Sequence, residues 1–102
     1  MVTGQVSKIV VVDVDGPVAQ FHDLHLPKTL TSATGGGGRH YLYHCEDKVR
    51  SRGKMVDGID LKAEGGFIIL PPSLHKSGRH YKWIRKSSPT LITPDMLPIQ
   101  TD

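Results

Sequence analysis

The chain reads as an α+β domain built on a mostly antiparallel sheet with few helices. Three observations lead there. Runs of β-branched and aromatic residues outnumber helical periodicities: Ile9-Val10-Val11-Val12, Tyr41-Leu42-Tyr43-His44, Ile59-Asp60-Leu61, Phe67-Ile68-Ile69-Leu70 and Tyr81-Lys82-Trp83-Ile84. Eleven glycines and seven prolines cut the 102 residues into short pieces. A hydrophobic content of 37% over that length supports one small core.

The elements follow in order. Ile9 to Val14 is a continuous apolar run interrupted only by Asp13, the pattern of a strand buried on both faces, and Gly16-Pro17 stops it. Val18 to Leu26 fits a short helix with Phe21, Leu24 and His25 on one side. Thr29 to Thr34 is β-prone and extended. Gly35 to Gly38 forms a loop, because four glycines maximise the entropy cost of any regular element. Tyr41 to His44 is a strand, and the charged stretch Glu46 to Asp57 is an exposed connection. Ile59–Leu61 and Phe67–Leu70 read as a hairpin around Glu64-Gly65-Gly66. Pro71-Pro72-Ser73 ends its second strand. Tyr81 to Ile84 is a short alternating strand in which Trp83 packs on the core. Near the end, Thr93 is a helix N-cap with Pro94 at the first helical position.

Composition narrows the classes of function. No stretch approaches the roughly 18 apolar residues of a membrane span. Met1-Val2-Thr3-Gly4 carries neither the basic nor the apolar region of a signal peptide. The single cysteine, Cys45, excludes an internal disulfide and fits a reducing compartment, so the expected location is cytoplasmic. A net charge of +3 is compatible with a polyanionic partner.

The chemistry-bearing residues fall into four groups. Asp13 and Asp15, spaced i, i+2 at a strand end, point to one side and can grip a divalent cation; solvated turn aspartates are the plain alternative. The loop Gly35-Gly36-Gly37-Gly38 leads into Arg39 and His40. Such a loop lets backbone N–H groups approach phosphates, with Arg39 supplying a planar fork of donors. It also suits a simple linker, and it lacks the lysine–serine/threonine ending of a Walker loop. Asp60 and Lys62 share one face of an apolar strand, as a metal–triphosphate site or a surface ion pair would have them. The segment Pro71 to Trp83 interleaves hydroxyls, cations and rings, a mixture suited to nucleotide or single-strand binding or to a turn feeding an edge strand. Two further readings stand beside these. His22 with His25, or His44 with Cys45, are candidate zinc ligands, without the four-ligand spacing of a structural site. Val11-Val12-Asp13-Val14-Asp15-Gly16 also looks like the first motif of haloacid-dehalogenase-type phosphatases, a fold that needs a longer α/β chain.

Taken in order, four segments resemble the bifunctional DNA primase/polymerase domain of the archaeo-eukaryotic primase superfamily. Val2-Thr3-Gly4, Ser7 and Ile9 to Asp15 are similar to its lead-in and hhhDhD strand. Leu26-Pro27-Lys28-Thr29 and Thr34 to His40 resemble its "LP-T … TGSGGRH" stretch, with Gly36 where serine is frequent. Gly58 to Lys62 with Gly65-Gly66-Phe67 resembles its third-acid strand. Pro71-Pro72-Ser73, His75, Ser77-Gly78, Tyr81 and Trp83 resemble its "PPS-H-SG--Y-W" signature.

The resemblance implies the RRM-like catalytic half of the primase fold over residues 1–86, without the further N-terminal α/β portion of family members, and a C-terminal tail over 87–102. It implies template-dependent nucleotidyl transfer in the replication of a phage, plasmid or integrated element, or a non-catalytic remnant that binds nucleotide or single-stranded nucleic acid. It makes Asp13, Asp15 and Asp60 ligands of Mg²⁺ or Mn²⁺ in a two-metal arrangement. His40 would contact the phosphates of the incoming nucleotide, and Arg39, Lys62, Ser73 and His75 would add nucleotide contacts. The implied partners are nucleoside triphosphates, a single-stranded DNA template and a helicase domain or protein.

Overall fold

The computed structural model describes residues 1, 3, 7–15, 21, 24–34, 37–47, 49, 53–56, 58–63, 68–72 and 78–97, with the backbone alone for 53–56. Seven strands join in one sheet: β1 (Ile9–Val14), β2 (Leu30–Ala33), β3 (Arg39–His44), β4 (Gly53–Val56), β5 (Ile59–Lys62), β6 (Lys82–Arg85) and β7 (Thr90–Leu91). The order is β4-β5-β1-β3-β2-β6, every pairing along it antiparallel, and β7 adds to β3 in parallel. A 3-10 turn, Pro94–Met96, follows with Thr93 as its N-cap. The helix expected over Val18–Leu26 falls partly outside the described residues; Phe21 has helical backbone, and Leu24-His25 is a turn.

The valine run explains the centre of the sheet. β1 is bonded on both edges, by β3 and by β5, and contributes core residues on both faces. Val10, Val12 and Val14 pack on one face with Tyr41 and Tyr43 of β3, Ile59 and Leu61 of β5, and Phe21, Ile92 and Leu97. Val11 packs on the other face with Leu42 and Ile68, joined by Ile9, Leu30, Leu70 and Trp83. This second layer is apolar at only one end. Two residues further along β1, the same face carries Asp13.

Three expectations are corrected. The polar stretch after Glu46 is not wholly an exposed connection: it contains β4 and buries Val49. The hairpin partner of β5 is therefore β4, through Gly58, whose φ of +82° suits glycine. Residues 68–70 form no strand; Ile68 instead exchanges backbone bonds with Met1, at 2.8 and 2.9 Å. Beyond β6, Thr90–Leu91 forms β7, seated by one side chain and one backbone bond. Thr29 Oγ1 accepts the Thr90 N–H (2.9 Å) and donates to the Leu42 carbonyl (2.5 Å), and the Ile92 N–H reaches the His44 carbonyl (2.8 Å).

Ile92 is 2% exposed and its neighbour Leu91 62%. Ile92→Ala is expected to cost about 2–5 kcal/mol, and Leu91→Ala less than about 0.5 kcal/mol. Urea unfolding measures both; an unmoved midpoint for Ile92→Ala would show that the segment does not belong to the core.

Candidate active site

Residues directly opposite one another on neighbouring antiparallel strands share a face. Asp13 is opposite Asp60 on β5 and opposite His40 on β3. His40 is opposite Ser32 on β2, and Ser32 opposite Trp83 on β6. One row of the sheet therefore reads Asp60, Asp13, His40, Ser32, Trp83, and Lys54 of β4 holds the register position beyond Asp60. His40 Nε2 lies 3.4 Å from Asp13 Oδ1, with only 9% and 16% of the two side chains exposed. Asp15 continues the same face two residues on, at the exposed end of β1. Lys62 lies on it two residues from Asp60, opposite Val11.

Like charges directly opposite one another oppose pairing. Asp15 reports the crowding: desolvation, then the Asp13 and Asp60 carboxylates, raise its carboxyl above the ordinary range, while His40 and Lys62 pull it down. The donors are hard oxygens, suited to Mg²⁺ or Mn²⁺, which are held by a few carboxylates together with water and substrate phosphates. Among the described residues no three acidic, histidine or cysteine side chains close around one point, so the acids form an open set rather than a finished cage.

The glycine loop serves this site through packing. A Cβ on Gly38 would sit 2.8 Å from the Val14 carbonyl oxygen and 3.1 Å from Asp15 Oδ1, so only glycine lets the loop press against the end of β1. The described loop N–H groups are used within the loop: Gly37 bonds the Thr34 carbonyl at 3.2 Å, and Gly38 bonds Thr34 Oγ1 at 3.0 Å. They are not aimed outward at phosphate; Gly35 and Gly36 lie outside the described residues.

Arg39 does not join the carboxylates. It pairs with Val14 and Ala33 on the opposite face and lines a groove there with Tyr41. Ser73 and His75 lie outside the described residues. Sequence reasoning missed Ser32, which is fully buried and whose hydroxyl has no partner among the described residues; the Nδ1 of its neighbour His40 has none among them either. A buried unsatisfied polar atom costs about 1–3 kcal/mol. Both atoms belong to residues paired across β2 and β3, next to Asp13 in the row. Only the strand register reveals this, since serine within a β-prone run carries no signal of its own.

The competing readings lose their geometry. β1 lies between antiparallel neighbours, not in the parallel sheet of the dehalogenase-type phosphatases. Cys45 donates to the Asp47 carbonyl at 3.3 Å and His44 pairs with Glu46, so neither is poised for zinc; His22 lies outside the described residues.

Gly38→Ala is expected to lower the melting temperature, because the obstructing atom is backbone and the loop must shift; an unchanged melt would contradict the close approach. Asp15 makes a second test. A raised carboxyl favours the folded state while protonated, and that contribution is lost as pH rises through the raised value. Asp15→Asn is therefore expected to raise the metal-free melting temperature at neutral pH and to leave it unchanged below the ordinary value of 3.8. A neutral-pH melt that falls instead would contradict the crowding.

Comparison with known proteins accords with this arrangement. The family model described as "Bifunctional DNA primase/polymerase, N-terminal" matches residues 1–98. No curated protein matches the chain. No helix among the described residues is long and apolar enough to cross a membrane. With nearly its whole length matched, the chain belongs to the bifunctional DNA primase/polymerase N-terminal domain family.

Proposed function

We propose that this chain carries the acidic centre of a template-dependent nucleotidyl transferase acting on nucleoside triphosphates along single-stranded DNA. The observation that carries this reading is the register row that sets Asp60, Asp13 and His40 side by side on one face. Asp13 and Asp60, with Asp15 beyond the strand end, would hold Mg²⁺ or Mn²⁺. Bound there, a pair of such ions supplies Lewis-acid stabilisation to the attacking 3′-hydroxyl and to the leaving pyrophosphate.

The chain's own residues set the rest. The Asp13 carboxylate beside Nε2 orients the His40 imidazole, which can offer a hydrogen bond to a triphosphate approaching the row. Lys62 brings a cation to the same face, and its charge offsets negative charge that develops as the phosphoryl group transfers. Ser73 and His75 are further candidate nucleotide contacts by position in the family motif. Arg39 is left out, because it faces away. The biological setting would be replication of a mobile or viral element, with a helicase domain or protein alongside.

Primer extension on a single-stranded template, with Mn²⁺ or Mg²⁺, tests the reading. The chain is expected to extend, and Asp13→Asn and Asp60→Asn to lower the rate by at least about 100-fold each, as expected when a group that holds transition-state charge is neutralised. Near-normal extension by Asp60→Asn would remove the assignment. Nucleotide binding with no extension by the unaltered chain would favour the non-catalytic binding reading.

A further inference from the structure

The sheet face opposite the carboxylates carries a groove of about 500 Å³. Its floor is apolar. The buried rings of Phe21 and Tyr41 underlie it, stacked with centroids 3.6 Å apart and planes 5° from parallel, and Ile84 supplies the exposed apolar surface, 49% accessible. Its rim carries Lys28, Arg39 and Arg85, and no acidic side chain among the described residues lines it.

A break in strand register builds this rim. Along β2 and β6, Ser32 pairs with Trp83 but Thr31 pairs with Arg85, so Ile84 is an extra residue. Strict alternation would put Arg85 on the face of Trp83 and the carboxylates. The bulge turns Arg85 to the other side, so that Ile84 and Arg85 both line the groove. The same face continues toward the glycine loop. Arg39, Ala33 and Lys82 form one cross-strand row, and Tyr41, Thr31 and Arg85 the next. The rows are two residues apart, about 6.6 Å at the usual strand rise. A second hollow of about 380 Å³ opens at Lys82.

We propose that this groove binds single-stranded nucleic acid on the face away from the acidic centre. Stepped cations over an apolar floor match a chain that alternates phosphates with flat apolar rings. A duplex keeps its bases stacked inside and leaves the floor unused. The acid row repels a polyanion unless cations neutralise it, whereas this groove needs no metal. The two faces therefore divide the work: one holds the reacting end, the other holds a strand.

The test separates this inference from catalysis by working in EDTA. Fluorescence anisotropy of a labelled oligothymidylate is followed over a salt series for the chain, for Lys28→Gln/Arg85→Gln, and for Lys28→Arg/Arg85→Lys, with melting curves confirming that each variant folds. The chain is expected to bind without metal, and the glutamine variant to bind at least tenfold more weakly. Its log–log salt slope should be shallower by about 1.4, two phosphate contacts at about 0.7 each on single strands. The charge-retaining variant should keep the slope. No binding in EDTA, unchanged affinity and slope in the glutamine variant, or equal affinity for an inorganic polyphosphate or an acidic peptide of matched charge would each overturn the proposal. Lost primer extension with binding intact would count against the catalytic reading alone.

Discussion

The structure depends on the register that holds β1 between β3 and β5. That register puts Asp13 opposite a second carboxylate on one side and an imidazole on the other. By itself the carboxylate pair disfavours strand pairing. The pairing stands because the remaining residues of β1 are committed to the core: Val10, Val12 and Val14 to one layer, Val11 to the other. A slip of one residue would exchange the faces and carry Asp13 into the layer of Tyr41, Tyr43 and Ile59. Burial of the valines thus fixes where the charges stand.

The two faces acquire different chemistry from the same alternation. On one, an apolar end anchored by Val11, Leu42 and Ile68 gives way to the acids and His40. On the other, a larger core gives way at its margin to a groove with a cationic rim. Gly38 ties the loop before β3 to the end of β1 at a separation no side chain permits. The glycine loop therefore shapes the acidic end by contact, with its described amides engaged in the loop itself. Crowded carboxylates and the Ser32 and His40 atoms without partners among the described residues concentrate the sheet's energetic costs in this one row.

Much of this was legible in the sequence, for reasons that can be named. The β1 span follows from a β-branched run, and strand alternation puts Asp13 with Asp15 and Asp60 with Lys62; that the two pairs share a face comes from the β1–β5 register. The same alternation places Arg39 opposite His40 once β3 is seen to begin at Arg39 rather than Tyr41. β4 was not legible, since Gly53-Lys54-Met55-Val56 has neither apolar alternation nor a β-branched run. Without β4, Glu64-Gly65-Gly66 was the stronger turn signal and drew the hairpin to the wrong side of β5. Ser32 and the bulge at Ile84 depend on which strands become neighbours, and one strand's pattern does not contain that information.

The most direct test of the central claim is Mn²⁺ binding followed by electron paramagnetic resonance, with the chain compared to Asp60→Asn. Asp13 and Asp60 stand directly opposite each other only if the β1–β5 register is as described, so the account predicts Mn²⁺ binding that weakens at least tenfold when Asp60 is neutralised. Equal Mn²⁺ affinity in the two proteins would mean that Asp60 and Asp13 do not act on a common ion, and the acid row would lose its function.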